Sequence, residues 1–239
     1  MPQLSVVVPV FNERDNIAPL LAEITATLRG RVDFEIVYVD DCSNDDSRDV
    51  LTAQMRRHPE LRVLRHHARS GQSTALWHGI RAARADWVAT LDGDGQNDPA
   101  DIPRLLDARD KADARVHLFV GWRTTRRDSF SKRVSSRIAN AVRSRMLKDA
   151  TPDTGCGLKL VRRDTFLRLP YFDHMHRYLP ALVKRAGFGI QSIPVGHRPR
   201  TRGTSKYGLF DRLWVGLADL RGVAWLMRRA KVTEVEEIR

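Results

Sequence analysis

The chain has 239 residues and a hydrophobic fraction of 42%, enough to bury a full core without disulfide or metal staples. Its 41 lysines and arginines outnumber 29 aspartates and glutamates, for a net charge of +12, which points to an anionic partner: nucleic acid, a membrane face or a phosphorylated substrate. The two cysteines, Cys42 and Cys156, lack CxxC spacing, which argues against a disulfide framework or a zinc site and suits a reducing cytosol.

In chain order, Leu4–Val10 is a β-branched run that predicts a buried parallel strand rather than a signal peptide. Asp15–Leu28 carries Ile17, Leu20, Leu21, Ile24 and Leu28 at helical spacing. Phe34–Val39 predicts a second strand ending in Asp40-Asp41, Ser47–Arg57 a helix, and Leu61–Leu64 a short third strand. Ser73–Ala85 predicts a third helix and Trp87–Leu91 a fourth strand ending at Asp92. This alternation predicts a parallel sheet with helices on both faces. Ligands bind such sheets beyond the carboxyl ends of the strands, where Asn12-Glu13, Asp40-Asp41 and Asp92-Gly93-Asp94 stand.

Beyond residue 100 the pattern is less regular. Ile102–Ala112 predicts a helix and Val116–Val120 a strand; Lys132–Leu147 predicts a helix in a very basic stretch. Thr151–Leu160 is turn-rich and leads into a strand, Gly189–Val195 is a further strand, and Arg198–Gly208 is a basic loop. Asp211–Arg229 predicts an apolar-rich helix; Asp219 and Arg221 interrupt it, and no run reaches the roughly 18–20 apolar residues of a membrane span. His66, His67, His174 and His176 form no metal-ligand pattern and suit polar surface or acceptor-side roles.

The chemistry centres on Asp92-Gly93-Asp94-Gly95-Gln96. Hard divalent cations take oxygen ligands, and Mg²⁺ commonly combines one or two carboxylates with substrate phosphates. Two aspartates around a glycine at a strand end can meet one ion, which would neutralise a departing diphosphate. An ordinary Asp-Gly turn is the plain alternative.

Three segments in this order, Pro9-Val10-Phe11-Asn12-Glu13, Val39-Asp40-Asp41-Cys42-Ser43 and Leu91-Asp92-Gly93-Asp94-Gly95-Gln96, resemble the family 2 glycosyltransferases, in particular the polyprenyl- (dolichyl-) phosphate sugar synthases. The resemblance runs over residues 4 to 210. It implies an α/β GT-A fold, a Rossmann-like, mostly parallel sheet with helices on both faces, to which the residue pattern adds a C-terminal amphipathic helix. Residues 1–208 would form the GT-A domain, with a donor half at 1–120 and an acceptor half at 121–208, followed by the helix and tail at 209–239. On the donor side it implies that Pro9, Phe11 and Glu13 border the base and ribose, with Asp40 or Asp41 also touching the nucleoside. Asp92 would lie near the ribose and diphosphate, and Asp92, Asp94 and Gln96 would hold Mg²⁺ or Mn²⁺. Ala68–Ser73 resembles the family's Arg-Asn-x-Gly-Gln-x segment and contributes Gly71 and Gln72. Arg69 replaces the usual Asn, and Cys42 stands where the family commonly has Gly.

Gly121-Trp122-Arg123, Ser136-Arg137-Ile138-Ala139-Asn140, and Arg200 to Gly208 with Ser205-Lys206-Tyr207 resemble the acceptor-side motifs. They imply that Arg123, Arg137, Arg200 and Lys206 surround phosphates, which suits bidentate Arg and point-charge Lys chemistry. Asp153, in Asp153–Gly157, would orient the acceptor or act as a base, or else cap a turn. A phosphate monoester is mostly dianionic at neutral pH, so a base is not obligatory. The catalytic set is thus Asp94, Arg123, Arg137, Asp153, Arg200 and Lys206.

The expected activity is an inverting transfer of a sugar from a nucleotide diphosphate sugar to undecaprenyl or dolichyl phosphate. The alternative is a saccharide or protein acceptor. The expected location is the cytoplasmic, inner face of the cell membrane, with peripheral attachment. Leu209–Arg229 combines Trp and Arg with an apolar face, which suits an anionic membrane surface, a core helix or a dimer contact equally. Recruitment by a membrane-protein partner is a further possibility. Nucleic-acid binding is set aside, because the basic stretch carries no helix-turn-helix, zinc-finger or RNP pattern.

Overall fold

The computed structural model describes residues 1–124, 143–149, 151–199, 209–229, 231 and 236–237, without the side chains of 209–215. Arg137, Arg200, Lys206 and most of the expected 132–147 helix lie outside the described residues; 143–147 are helical. Seven strands form one sheet: β1 (Leu4–Val10), β2 (Phe34–Asp40), β3 (Leu61–Arg65), β4 (Trp87–Thr90), β5 (Val116–Arg123), β6 (Lys159–Arg162) and β7 (Gly189–Val195). Their spatial order is β3-β2-β1-β4-β6-β5-β7. β6 is antiparallel to both its neighbours, β4 and β5, while β1 to β4 pair parallel and β5 pairs parallel with β7.

The helices are α1 (Arg14–Leu28), α2 (Ser47–Met55), α3 (Gln72–Ala82), α4 (Ile102–Lys111), α5 (Arg163–Leu167), α6 (Leu179–Arg185) and α7 (Leu209–Arg228). The apolar run of β1 follows from cover on both faces. Leu4, Val6, Val8 and Val10 pack with Ile17, Leu21 and Ile24 of α1 and Ile102 and Leu105 of α4. Val7 faces the other way, with Ala75, Leu76 and Ile80 of α3 and the apolar side chains of α6.

The first four strands and their helices stand where the sequence places them, with shifted ends. α3 stops at Ala82 rather than Ala85, because Ala83 is extended at ψ 146°. Glu35 Oε1 accepts from the Arg84 N–H at 2.6 Å and Ser5 Oγ from the Ala85 N–H at 3.1 Å, which draws the chain out of the helix towards β4. β5 runs three residues past the expected Val120, since β7 pairs with it as far as Arg123↔Val195. α5 and α6 were not expected: at 5 and 7 residues they are too short to develop a readable period. A boundary at 120/121 falls inside β5, so the two halves share one sheet.

Candidate active site

The carboxyl ends of β1, β2 and β4 lie side by side, because those strands are neighbours in the sheet. After β1, Asn12 takes a left-handed φ of 54°. Its side chain pairs with Asn44, which ties the β1 and β2 ends together. Glu13 Oε2 accepts from Asn16 Nδ2 at 2.6 Å, and the Glu13 N–H donates to Ser47 Oγ. Pro9 is buried within β1, opposite Val39. Phe11 is partly exposed, and the Arg69 guanidinium lies 4.2 Å from its ring centre.

The two aspartates after β2 serve different neighbours. Asp40 Oδ1 accepts from the Ser43 N–H at 2.9 Å, and Arg65 pairs with Oδ2 at 3.3 Å. Asp41 accepts from the Ser70 and Gly71 N–H groups, each at 2.8 Å, and contacts His66 Nδ1 at 2.7 Å. His66 Nε2 in turn meets His78 Nδ1 at 2.9 Å. Asp41 thus fixes the start of α3, the helix whose first residue is Gln72. Gln72 Nε2 donates to Asp92 Oδ1 at 2.8 Å. Gly71, Gln72, Asp41 and Asp92, expected together from sequence, are thus linked: Asp41 holds the Gly71 N–H, and the next residue, Gln72, holds Asp92.

Asp92 faces a cleft of about 330 Å³ whose lining also includes Asp153, Lys159, His176 and Arg177. The surrounding protein and then the charge of Asp94 push its carboxyl up to about 6, against the pull of Lys159 and Arg123. Asp94 Oδ1 accepts from the Gln96 N–H at 3.1 Å, and the Gln96 carbonyl accepts from the Arg198 N–H at 3.0 Å. Gly157 allows this packing: a Cβ there would come within 2.2 Å of Asp92 Oδ2.

Across the cleft, Arg123 grips Asp153 in a bidentate fork, Nε to Oδ2 at 2.7 Å and Nη2 to Oδ1 at 2.9 Å. Burial opposes the guanidinium charge, yet the bonds to Asp153 raise its pKa. These two expected catalytic residues therefore come together as a pair. Arg143 donates to the Thr151 carbonyl and the Thr154 hydroxyl, which holds the loop bearing Asp153.

Asp92 and Asp94 fit a divalent cation. They are oxygen ligands, and the charge of Asp94 disfavours that of Asp92, a repulsion that a cation relieves. Among the described residues no group of three or more His, Cys, Asp or Glu could hold an ion on its own. The remaining ligands would come from substrate phosphate and water, the usual arrangement for Mg²⁺.

Residues 5–169 match the model of glycosyl transferase family 2. The chain belongs to that family. It is 34% identical over 233 residues to a dodecaprenyl-phosphate galacturonate synthase of Rhizobium johnstonii, covering 95% of this chain and 68% of that protein. It is 35% identical over 210 residues to an undecaprenyl-phosphate 4-deoxy-4-formamido-L-arabinose transferase of Edwardsiella ictaluri, covering 86% of this chain. The chain spans 63% of the length of that relative. The fold is shared with glucosyl-3-phosphoglycerate synthase of Mycobacterium tuberculosis in complex with Mn²⁺, UDP-glucose and glycerol 3-phosphate. The TM-score is 0.71 at 19% identity, covering 98% of this chain and 82% of that one. The sheet and its helices are thus the expected GT-A architecture.

Lys159 in the cleft and Arg198 outside its lining drew no individual expectation from the sequence, whereas His176, expected in a polar surface or acceptor-side role, lines the cleft. Lys159 is a cation flanked by Leu158, Leu160 and Val161, and that contrast was its signal. His176 Nδ1 contacts Ser73 Oγ at 2.7 Å, and burial keeps the imidazole well below its ordinary pKa. Arg198 bridges Glu23 at 2.6 Å and Asp98 at 2.7 Å, a link between chain segments that no local pattern announces. Cys42, at φ 61°, adopts a left-handed backbone that Gly accommodates without strain.

Proposed function

We propose that this chain transfers a sugar from a nucleotide diphosphate sugar to a polyprenyl phosphate, with inversion at the anomeric carbon. The observation that carries this reading is the order of charge along the sheet edge. The Asp92–Asp94 pair follows β4, and beyond it Lys159 on β6 and the Arg123–Asp153 pair line or flank the same cleft. The names of the curated relatives, prenyl-phosphate synthases and transferases, support the same class of acceptor.

In this reading Phe11 and Arg69 border the base, and Asp41 holds the Ser70–Gly71 turn so that Gln72 presents its amide to Asp92. Asp92 and Asp94, with Gln96, would hold Mg²⁺ or Mn²⁺. When bound, that ion supplies neutralising charge to the diphosphate as it departs. An acceptor phosphate oxygen forms the new bond to the anomeric carbon, and the bond to the donor diphosphate breaks with its electron pair. The phosphate monoester is already mostly ionised at neutral pH, so alignment and charge management suffice. Asp153, gripped by Arg123, suits an orienting role better than a proton-accepting one. Arg137, Arg200 and Lys206 remain assigned to phosphates on sequence resemblance. Residues 1–120 serve the donor and 121–208 the acceptor, as a functional rather than a structural division.

Attachment at the inner membrane face is part of the same proposal. Among the described residues no helix is long and apolar enough to cross a membrane. α7 packs Leu220, Val223 and Ala224 into the core while Leu217 and Trp225 stay exposed beside Arg221, Arg228 and Arg229. An exposed face with Trp, Leu and Arg suits an anionic lipid interface.

Purified protein incubated with Mn²⁺ or Mg²⁺, candidate nucleotide diphosphate sugars and undecaprenyl phosphate is expected to yield a lipid-linked sugar. No such product with any donor would overturn the reading, and transfer to a saccharide or protein instead would establish the alternative acceptor class.

A further inference from the structure

β6 and the residue before it alternate between two packed faces. Leu158 and Leu160 join the core on the α1 side, and Val161 joins the core on the α3 side. Lys159 therefore points to the α3 side, at a position where the pleat calls for an apolar residue. It is only 4% exposed. Its ammonium donates to the Cys156 carbonyl; among the described residues no carboxylate oxygen pairs with it, and Asp92 and Asp153 act on it only at longer range.

An ammonium has three donors, so two remain after the bond to Cys156. Burying a cation without a paired anion is costly. The side chain nevertheless lines the cleft beside Asp92, Asp153, His176 and Arg177. This combination is explained if the missing counter-charge arrives with a ligand.

Sheet order says which ligand. Running from the nucleoside side, the edge passes β2 and β1, then β4 with Asp92, then β6 with Lys159. Inversion requires attack from the side opposite the departing diphosphate, and β6 lies beyond Asp92 on the side away from Phe11 and Asp41. Arg123, the expected phosphate partner on β5, is already engaged by Asp153.

We propose that Lys159 is the cation that receives the attacking phosphate monoester of the acceptor. The inference rests on the transferase reading and deepens it.

The test uses the full chain and the near-isosteric variant Lys159→Met, with a short-chain polyprenyl phosphate as acceptor. The KM for the acceptor is expected to rise at least about tenfold, the cost of losing one charge-assisted contact. The donor KM and the affinity for Mn²⁺ with nucleoside diphosphate, followed by calorimetry, are expected to stay within about threefold. An unchanged acceptor KM, or a loss that falls on the donor, overturns the assignment. A drop in Tm with both KM values unchanged assigns Lys159 to the fold alone and likewise overturns it. If the methionine variant does not fold, Lys159→Gln is measured in the same way. Wild-type turnover is the control that separates the two ideas: product from wild type sustains the transferase reading whatever the variant does, and its absence with every donor takes both down.

Discussion

The acidic edge proposed for the donor and the flank proposed for the acceptor hold their charges in different ways. At the donor edge, Asp41 is bound by two backbone N–H groups and His66, and Asp92 by the neutral amide of Gln72. On the flank, Asp153 is locked by a guanidinium, and Lys159 lines the same cleft. Apart from the Asp40–Arg65 pair, the edge holds its carboxylates chiefly with amide and imidazole groups and leaves acidic groups for a cation, whereas the flank carries the cations that suit an anion. One sheet edge thus offers two complementary electrostatic surfaces a strand apart.

The comparison breaks most readily at its acidic side. Asp94→Ala is expected to cut turnover by about 10³-fold or more, the scale of losing a principal charge-stabilising group, and a chelator should do the same to the wild type. A steady-state assay with and without added Mn²⁺ checks both. Retention of full activity in either case would remove the cation from the donor edge.

The flank should respond in stability. Asp153→Ala leaves Arg123 without its partner, and breaking a largely buried pair costs about 3 kcal/mol. For a chain of this size that lowers Tm by roughly 6–10 °C. Replacing Arg123 by Met in the same chain should recover part of the loss, because no unpaired charge remains. Thermal melts of the single and double variants decide the matter.

Asp92 makes stability depend on pH. Its folded pKa of about 6 exceeds the ordinary 3.8. As pH rises through that interval the unfolded chain ionises first, so the ligand-free protein loses stability from about pH 4 to pH 6 and changes no further above it. Contact with cleft solvent keeps the effect to roughly 1–2 kcal/mol. Asp92→Asn should abolish this component, and Mn²⁺ with nucleoside diphosphate should restore stability above pH 6. Chemical denaturation across pH 4–7 measures it.

The smallest effect is expected at Cys42, held at φ 61°. Cys42→Gly relieves left-handed strain and forfeits the Sγ contact to the His67 carbonyl, for a net gain of about 0.5 kcal/mol. A raised denaturation midpoint with unchanged donor KM would place this departure from the family pattern in the backbone rather than in donor choice.

Much of the donor edge was legible in the sequence. A β-branched run before Asn12, another before Asp40-Asp41 and a third before Asp92 each carry their polar residues directly at a strand end. Parallel alternation then brings those ends together whatever the details of packing. The split between Asp40 and Asp41 was not legible, since both follow the same strand; contacts with Arg65 and with Ser70 and Gly71, from other elements, distinguish them.

On the flank the sequence supplied Arg123 and Asp153 as separate residues but not their pairing across thirty positions. It passed over α5 and α6, which are too short to show a period and are held by the core they cover. The sequence by itself determined the strands and helices of the first half, their parallel alternation and the acidic motif, because local periodicity and strand-end chemistry are properties of contiguous residues. Only the tertiary structure decided which charges neutralise one another, that Gly157 makes room for Asp92, and that Lys159 is buried in the cleft. Those outcomes depend on β6 inserting antiparallel between β4 and β5, a long-range pairing that no local spacing encodes.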